Sequence, residues 1–118
     1  MSDLPVLDPQ SLRDLLDLGA SPVLVQELIT LFQADVPPRL ALLRTALCAM
    51  DTQQAMMEAH QLKGALSNLG LVRFADIASR LEVEARRGHL EDTPHLAEAL
   101  PGAYEEALAA LQSAFPQS

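Results

Sequence analysis

The chain has 118 residues, 49% of them hydrophobic and 20% charged, which suits one folded domain with a real core. Its net charge is −8 and its only adjacent basic pair is Arg86-Arg87, so nucleic acid and anionic membrane surfaces are poor partners. Ala and Leu dominate, aromatics make up 3%, and β-branched residues are few, a bias toward helix over sheet.

Met1 to Leu7 is acidic and contains Pro5, unlike a secretory signal, and no apolar run reaches the roughly 18–20 residues of a membrane span. A cytoplasmic location is the expectation. Asp8-Pro9 opens a first short helix over about 8–18, with Asp8 as N-cap and Leu12, Leu15, Leu16 and Leu18 on its apolar side. Gly19 ends it. Ser21-Pro22 starts a second helix over about 22–50, with Leu24, Leu28, Leu31 and Phe32, then Leu40, Leu43 and Leu47, as its apolar pattern. Pro37-Pro38 is expected to kink it near Asp35 to Pro38. Cys48 has no second cysteine to pair with, and its apolar helical context predicts a small buried side chain.

Asp51 or Thr52 caps a third helix over about 52–69, which Gly70 terminates. A fourth, over about 71–88, carries the stripe Phe74, Ala78, Leu81 and Ala85, and Gly88 closes it. His89 to Asp92 reads as a linker. Thr93-Pro94 starts the last helix, over about 94–115, which Pro101-Gly102 is expected to kink or split. Short connections between amphipathic helices predict antiparallel neighbours, hence a single all-α domain with up-down bundle topology.

The segment Ala59-His60-Gln61-Leu62-Lys63-Gly64-Ala65-Leu66-Ser67-Asn68-Leu69-Gly70 stands apart. At about 100° per residue, Ala55, Ala59, Leu62, Leu66 and Leu69 form the core stripe of the third helix. His60 then points about 140° away from that stripe, Gly64 about 180° and Lys63 about 80°. His60 is therefore expected to face solvent, with Lys63 beside it, Gly64 and Ser67 beyond it, Met57 exposed and Met56 at the boundary. A glycine inside a helix costs about 1 kcal/mol relative to alanine. On an outward face close helix packing does not account for it, which leaves either an incidental glycine or a need for open space next to the imidazole. Lys63 is either a lysine solvating the helix flank or a mobile cation for a negative group carried by His60. Glu82 is expected level with His60 on the fourth helix. It is either half of a surface Glu82–Arg86 pair or the acceptor that fixes the imidazole tautomer.

Ala59-His60-Gln61-Leu62-Lys63-Gly64, closed by Leu69-Gly70, resembles the signature of histidine phosphotransfer (HPt) domains of multistep two-component phosphorelays. The likeness extends to the leader helix, the Phe32 helix with Asp35-Val36-Pro37, and Ala78-x-x-Leu81-Glu82 closed by Gly88. It implies an antiparallel up-down four-helix bundle with an accessory N-terminal helix. It also implies that His60 is the phosphoacceptor, Lys63 the phosphoryl-stabilising cation, Gly64 the residue that clears space and Glu82 the residue that orients the imidazole. Met56, Met57, Ser67 and Arg86 fall on the implied docking surface. Small polar residues often follow the glycine in this family; here Ala65-Leu66 stands there. The implied partners are response-regulator receiver domains and a sensor or hybrid histidine kinase. The implied role is to accept a phosphoryl group from a receiver phospho-aspartate, or from the kinase, and relay it to another receiver. No ATP site, bound metal or cofactor is expected: the chain has no Gly-rich phosphate loop or acidic metal cluster, and Mg²⁺ would come from the receiver. A monomer is expected.

Two other classes compete. One is an interaction-only adaptor or inhibitor with the same fold, against which the intact His60-x-x-Lys63-Gly64 counts. The other is a metal or cofactor bundle. His60, His89 and His95 are the only histidines, and no Glu-x-x-His pair recurs on two helices as a di-metal bundle needs.

Overall fold

The computed structural model describes residues 3–117. Among them are five α-helices, α1 (Gln10–Asp17), α2 (Pro22–Cys48), α3 (Thr52–Asn68), α4 (Val72–Arg86) and α5 (Pro94–Ala114), with a 3₁₀ turn at Leu90–Asp92. The fold class is all-α. None of these helices is long and apolar enough to cross a membrane.

The helix ends follow local chemistry. The Asp8 carboxylate accepts the Gln10 N–H at 3.0 Å, the Ser21 hydroxyl accepts from Val23 at 3.1 Å, and Asp51, not Thr52, caps α3 by accepting from Gln54 at 3.1 Å. Thr93 does not cap α5; its hydroxyl donates to the Leu90 carbonyl at 2.7 Å. Gly70 has φ +76°, and a Cβ there would run into the Asp8 carbonyl, so the α3–α4 turn and the leader fit only around glycine. Asp8 N–H donates to Gly70 O at 2.7 Å, and Arg73 fastens the leader by donating twice to the Leu4 carbonyl, at 2.8 and 3.0 Å.

Helices α2 to α5 pack in a closed circuit: α2 on α3, α3 on α4, α4 on α5 and α5 on α2. Leu43, Leu62, Leu66, Phe74, Leu81 and Leu100 are fully buried between them. Phe32 of α2 stacks on Tyr104 of α5 with ring centroids 5.2 Å apart.

Several expectations change. The buried stripe of α2 is Val25, Ile29, Phe32, Val36, Leu40 and Leu43, whereas Leu24 and Leu31 are exposed. The Leu-based pattern lies one position off the stripe because leucines occupy both faces of the first half of α2. Leu18 is likewise exposed. Helical backbone runs unbroken past Pro37 and Pro38, both exposed, so α2 is the one long helix expected there. Helix α5 likewise runs unsplit through Pro101. Cys48 is exposed rather than buried, since the α2 stripe turns inward at Ala46 and away at Cys48. The linker after α4 contributes to the core: Leu90 and Thr93 are buried.

Candidate functional site

Ala55, Ala59, Leu62 and Leu66 bury one face of α3, which turns His60 outward. The His60 side chain is 65% exposed. On α4 the stripe Ala78, Leu81 and Ala85 is buried, and Glu82 beside Leu81 is carried in with it, at 4% exposure. The two helices are joined by the tight turn at Gly70, so His60 and Glu82 meet although far apart in sequence.

Glu82 is the hub of the site. Its Oε2 lies 2.9 Å from His60 Nδ1 and accepts from Arg86 Nη2 at 2.6 Å, and its Oε1 is 3.0 Å from Lys63 Nζ. Burial pushes the Glu82 pKa up. Hydrogen bonds from Lys63, His60 and Arg86, with the Lys63 charge, outweigh burial and hold the carboxyl below its ordinary value. The group is therefore ionised at neutral pH and can only accept. His60 Nδ1 must then be the protonated nitrogen, and Nε2 of a neutral ring keeps its lone pair. A nucleophilic nitrogen on an exposed, oriented imidazole is what this geometry provides.

From the sequence, Glu82 is either half of a surface pair with Arg86 or the imidazole's acceptor, and Lys63 either a flank lysine or a mobile cation. The structure buries the first and pairs the second with it. Gly64 is exposed, and a Cβ added there would meet nothing within 4 Å. Met57 is exposed, while Met56 packs partly against the core. Ser67 is exposed and, with Lys63, lines a cleft of about 400 Å³ bordered by Leu4, Asp8, Ser11 and Ser79. Arg86 stands against Glu82.

One surface feature escaped sequence reading. A groove of about 250 Å³ runs between α2 and α3, with Leu28, Leu31, Ala65 and Leu69 as apolar walls and Asp35 and Arg39 among its lining residues. Its signal in the sequence is the extra leucine at position 31, taken there for core.

Comparison with known proteins bears on the family and the fold. The family model for the Hpt domain matches residues 27–114. The crystal structure of histidine-containing phosphotransfer protein B (HptB) from Pseudomonas aeruginosa PAO1 superposes with a TM-score of 0.78 at 30% sequence identity, covering 96% of each chain. No curated protein sequence gives a significant match. With the family match spanning most of α2 to α5, this chain belongs to the Hpt domain family.

Proposed function

We propose that this protein is a phosphorelay intermediate. It accepts a phosphoryl group on His60 from the phospho-aspartate of a receiver domain, or from a histidine kinase, and passes it to another response-regulator receiver. The observation that carries this reading is the His60 Nδ1–Glu82 Oε2 contact at 2.9 Å, which leaves Nε2 of a largely exposed ring free to act as the nucleophile.

In the transfer, the Nε2 lone pair attacks phosphorus in line and the bond from phosphorus to the aspartyl oxygen breaks, returning the carboxylate to the receiver. The proton stays on Nδ1, so the ring becomes cationic, and the Glu82 carboxylate stabilises that charge. Lys63 offers an ammonium to the transferring group. Arg86 holds Glu82 in place. The receiver supplies Mg²⁺, and this chain needs no cofactor or ATP site of its own. Met57, Ser67 and the Leu31 groove extend the docking surface around His60, and half-buried Met56 backs it. The scaffold is an antiparallel up-down four-helix bundle of α2 to α5 with α1 as accessory, a reading supported by their closed packing circuit. It acts as a cytoplasmic monomer and binds neither nucleic acid nor membrane.

The test is phosphate uptake from a panel of phosphorylated receivers. The wild type should acquire an acid-labile, base-stable label, and His60→Gln should acquire none while keeping its far-UV circular dichroism. Label of that stability on His60→Gln overturns the assignment.

A further inference from the structure

The last turn of α4 and the 3₁₀ turn after it bring together three metal-ligating side chains that the phosphotransfer site does not use. Gly88, at φ +77°, reverses the chain, and His89 N–H donates to the Glu84 carbonyl at 2.8 Å. Asp92 N–H then donates to the His89 carbonyl at 3.1 Å. This compact turn sets Glu84 Oε2 3.7 Å from His89 Nδ1, and one donor atom from each of Glu84, His89 and Asp92 lies within 4.8 Å of the others.

We propose that Glu84, His89 and Asp92 form a surface site for a divalent transition-metal ion of the Zn²⁺ class. One imidazole and two carboxylates suit a borderline ion better than Mg²⁺, which prefers an all-oxygen shell. In a tetrahedral Zn²⁺ site with bonds of about 2.0–2.1 Å, ligand atoms sit about 3.3 Å apart. The Glu84–His89 pair is close to that spacing. Asp92 is exposed and closes the remainder by a side-chain rotation. Arg87 approaches the other Glu84 oxygen, Oε1, at 3.8 Å, which leaves Oε2 available. Water takes the fourth position, beside a cleft of about 400 Å³ that Glu84 and Asp92 line with His95. The ion would tie the end of α4, the helix that carries Glu82 and Arg86, to the connection leading into α5. A carboxylate, a histidine and a second carboxylate spread across a glycine turn share no helical face, so periodicity along α4 does not reveal them as a set.

Isothermal titration of the full chain with ZnCl₂ near neutral pH tests the site, with circular dichroism as a check on folding. The wild type should bind one Zn²⁺ per chain. His60→Ala should bind with the same stoichiometry and affinity, because the phosphotransfer histidine is not a ligand. His89→Ala and Asp92→Asn, both at exposed positions, should stay folded and each lose at least about tenfold in affinity. Absence of saturable binding by the wild type overturns the proposal. So does binding that survives both substitutions, or binding that is lost in His60→Ala.

Discussion

Replacing Gly64 should make the protein more stable and less active, and the two effects have separate physical origins. The residue lies inside α3, with helical backbone on both sides, and an added Cβ meets no atom within 4 Å. Gly64→Ala therefore removes the conformational freedom of glycine from the unfolded chain without creating a clash. The gain should be about 0.5–1 kcal/mol. For a domain of this size that raises Tm on the order of 4 °C. Gly64→Gln, with a good helix former, should be at least as stable as the wild type. Function should move the other way. Helical side chains lean toward the N-terminus, so any side chain at 64 lies over the turn that carries His60. In the proposed relay an approaching receiver would need that space. Transfer from a phosphorylated receiver, followed by quenched-flow labelling, should slow severalfold in Gly64→Ala and at least about tenfold, or about 1.4 kcal/mol of barrier, in Gly64→Gln. Urea unfolding of the same preparations gives the stability. A Gly64→Gln variant that transfers at the wild-type rate would refute the clearance argument. A destabilised Gly64→Ala would refute the reading of open space.

Glu82→Gln should slow phosphate uptake about tenfold, since the ring loses an anion that opposes its developing charge, in a site that solvent partly screens; single-turnover labelling reads this. The same carboxylate gives a pH signature. Its folded pKa lies below the ordinary value of 4.5, so its contribution to stability is complete above that value and is lost as the pH falls through the folded one. The difference in urea stability between wild type and Glu82→Gln should be constant from neutrality down to about pH 5 and shift only below it, as the wild-type carboxyl protonates. Phe32→Ala, which opens a cavity at a residue 3% exposed, should cost about 3–4 kcal/mol. Tyr104 is the sole tyrosine and there is no tryptophan, so tyrosine fluorescence should report that loss at the α2–α5 contact directly.

Much of this was legible in the sequence because the signals were local. Gly19, Gly70 and Gly88 follow α1, α3 and α4, and all three have positive φ, a conformation glycine adopts without strain. The α3 stripe pointed to the outward face of His60, since Ala55, Ala59, Leu62 and Leu66 recur at helical spacing on the opposite side and all four are buried. What stayed hidden depends on packing between helices. In α2, leucines lie on both faces, so periodicity alone chose Leu24 and Leu31 over Val25 and Ile29. The depth of Glu82 follows from how closely α3 sits against α4. The pairing of Lys63 follows in turn from that depth, because a buried carboxylate with few water contacts holds any cation within reach.

Burial of Glu82 also bears on how the site would handle charge during the proposed transfer. The carboxylate divides its work between two oxygens. Oε2 serves His60 and Arg86, while Oε1 serves Lys63. Before transfer, the cluster sets one carboxylate against two cations around a neutral ring. A phosphoryl group brings about two negative charges, and the ring, keeping its Nδ1 proton, gains one positive charge. The change is close to one unit of negative charge, which brings the cluster near neutrality. Lys63 is the member free to follow that change, because its partially exposed ammonium contacts a different oxygen from the one that holds the imidazole. It can turn toward the phosphoryl group while Oε2 keeps the tautomer and Arg86 keeps Oε2 in place. A glutamine at 82 has one acceptor oxygen and an amide that donates toward Lys63 or Arg86, so it cannot support both arrangements. The need for a carboxylate here lies in serving the imidazole and the lysine independently.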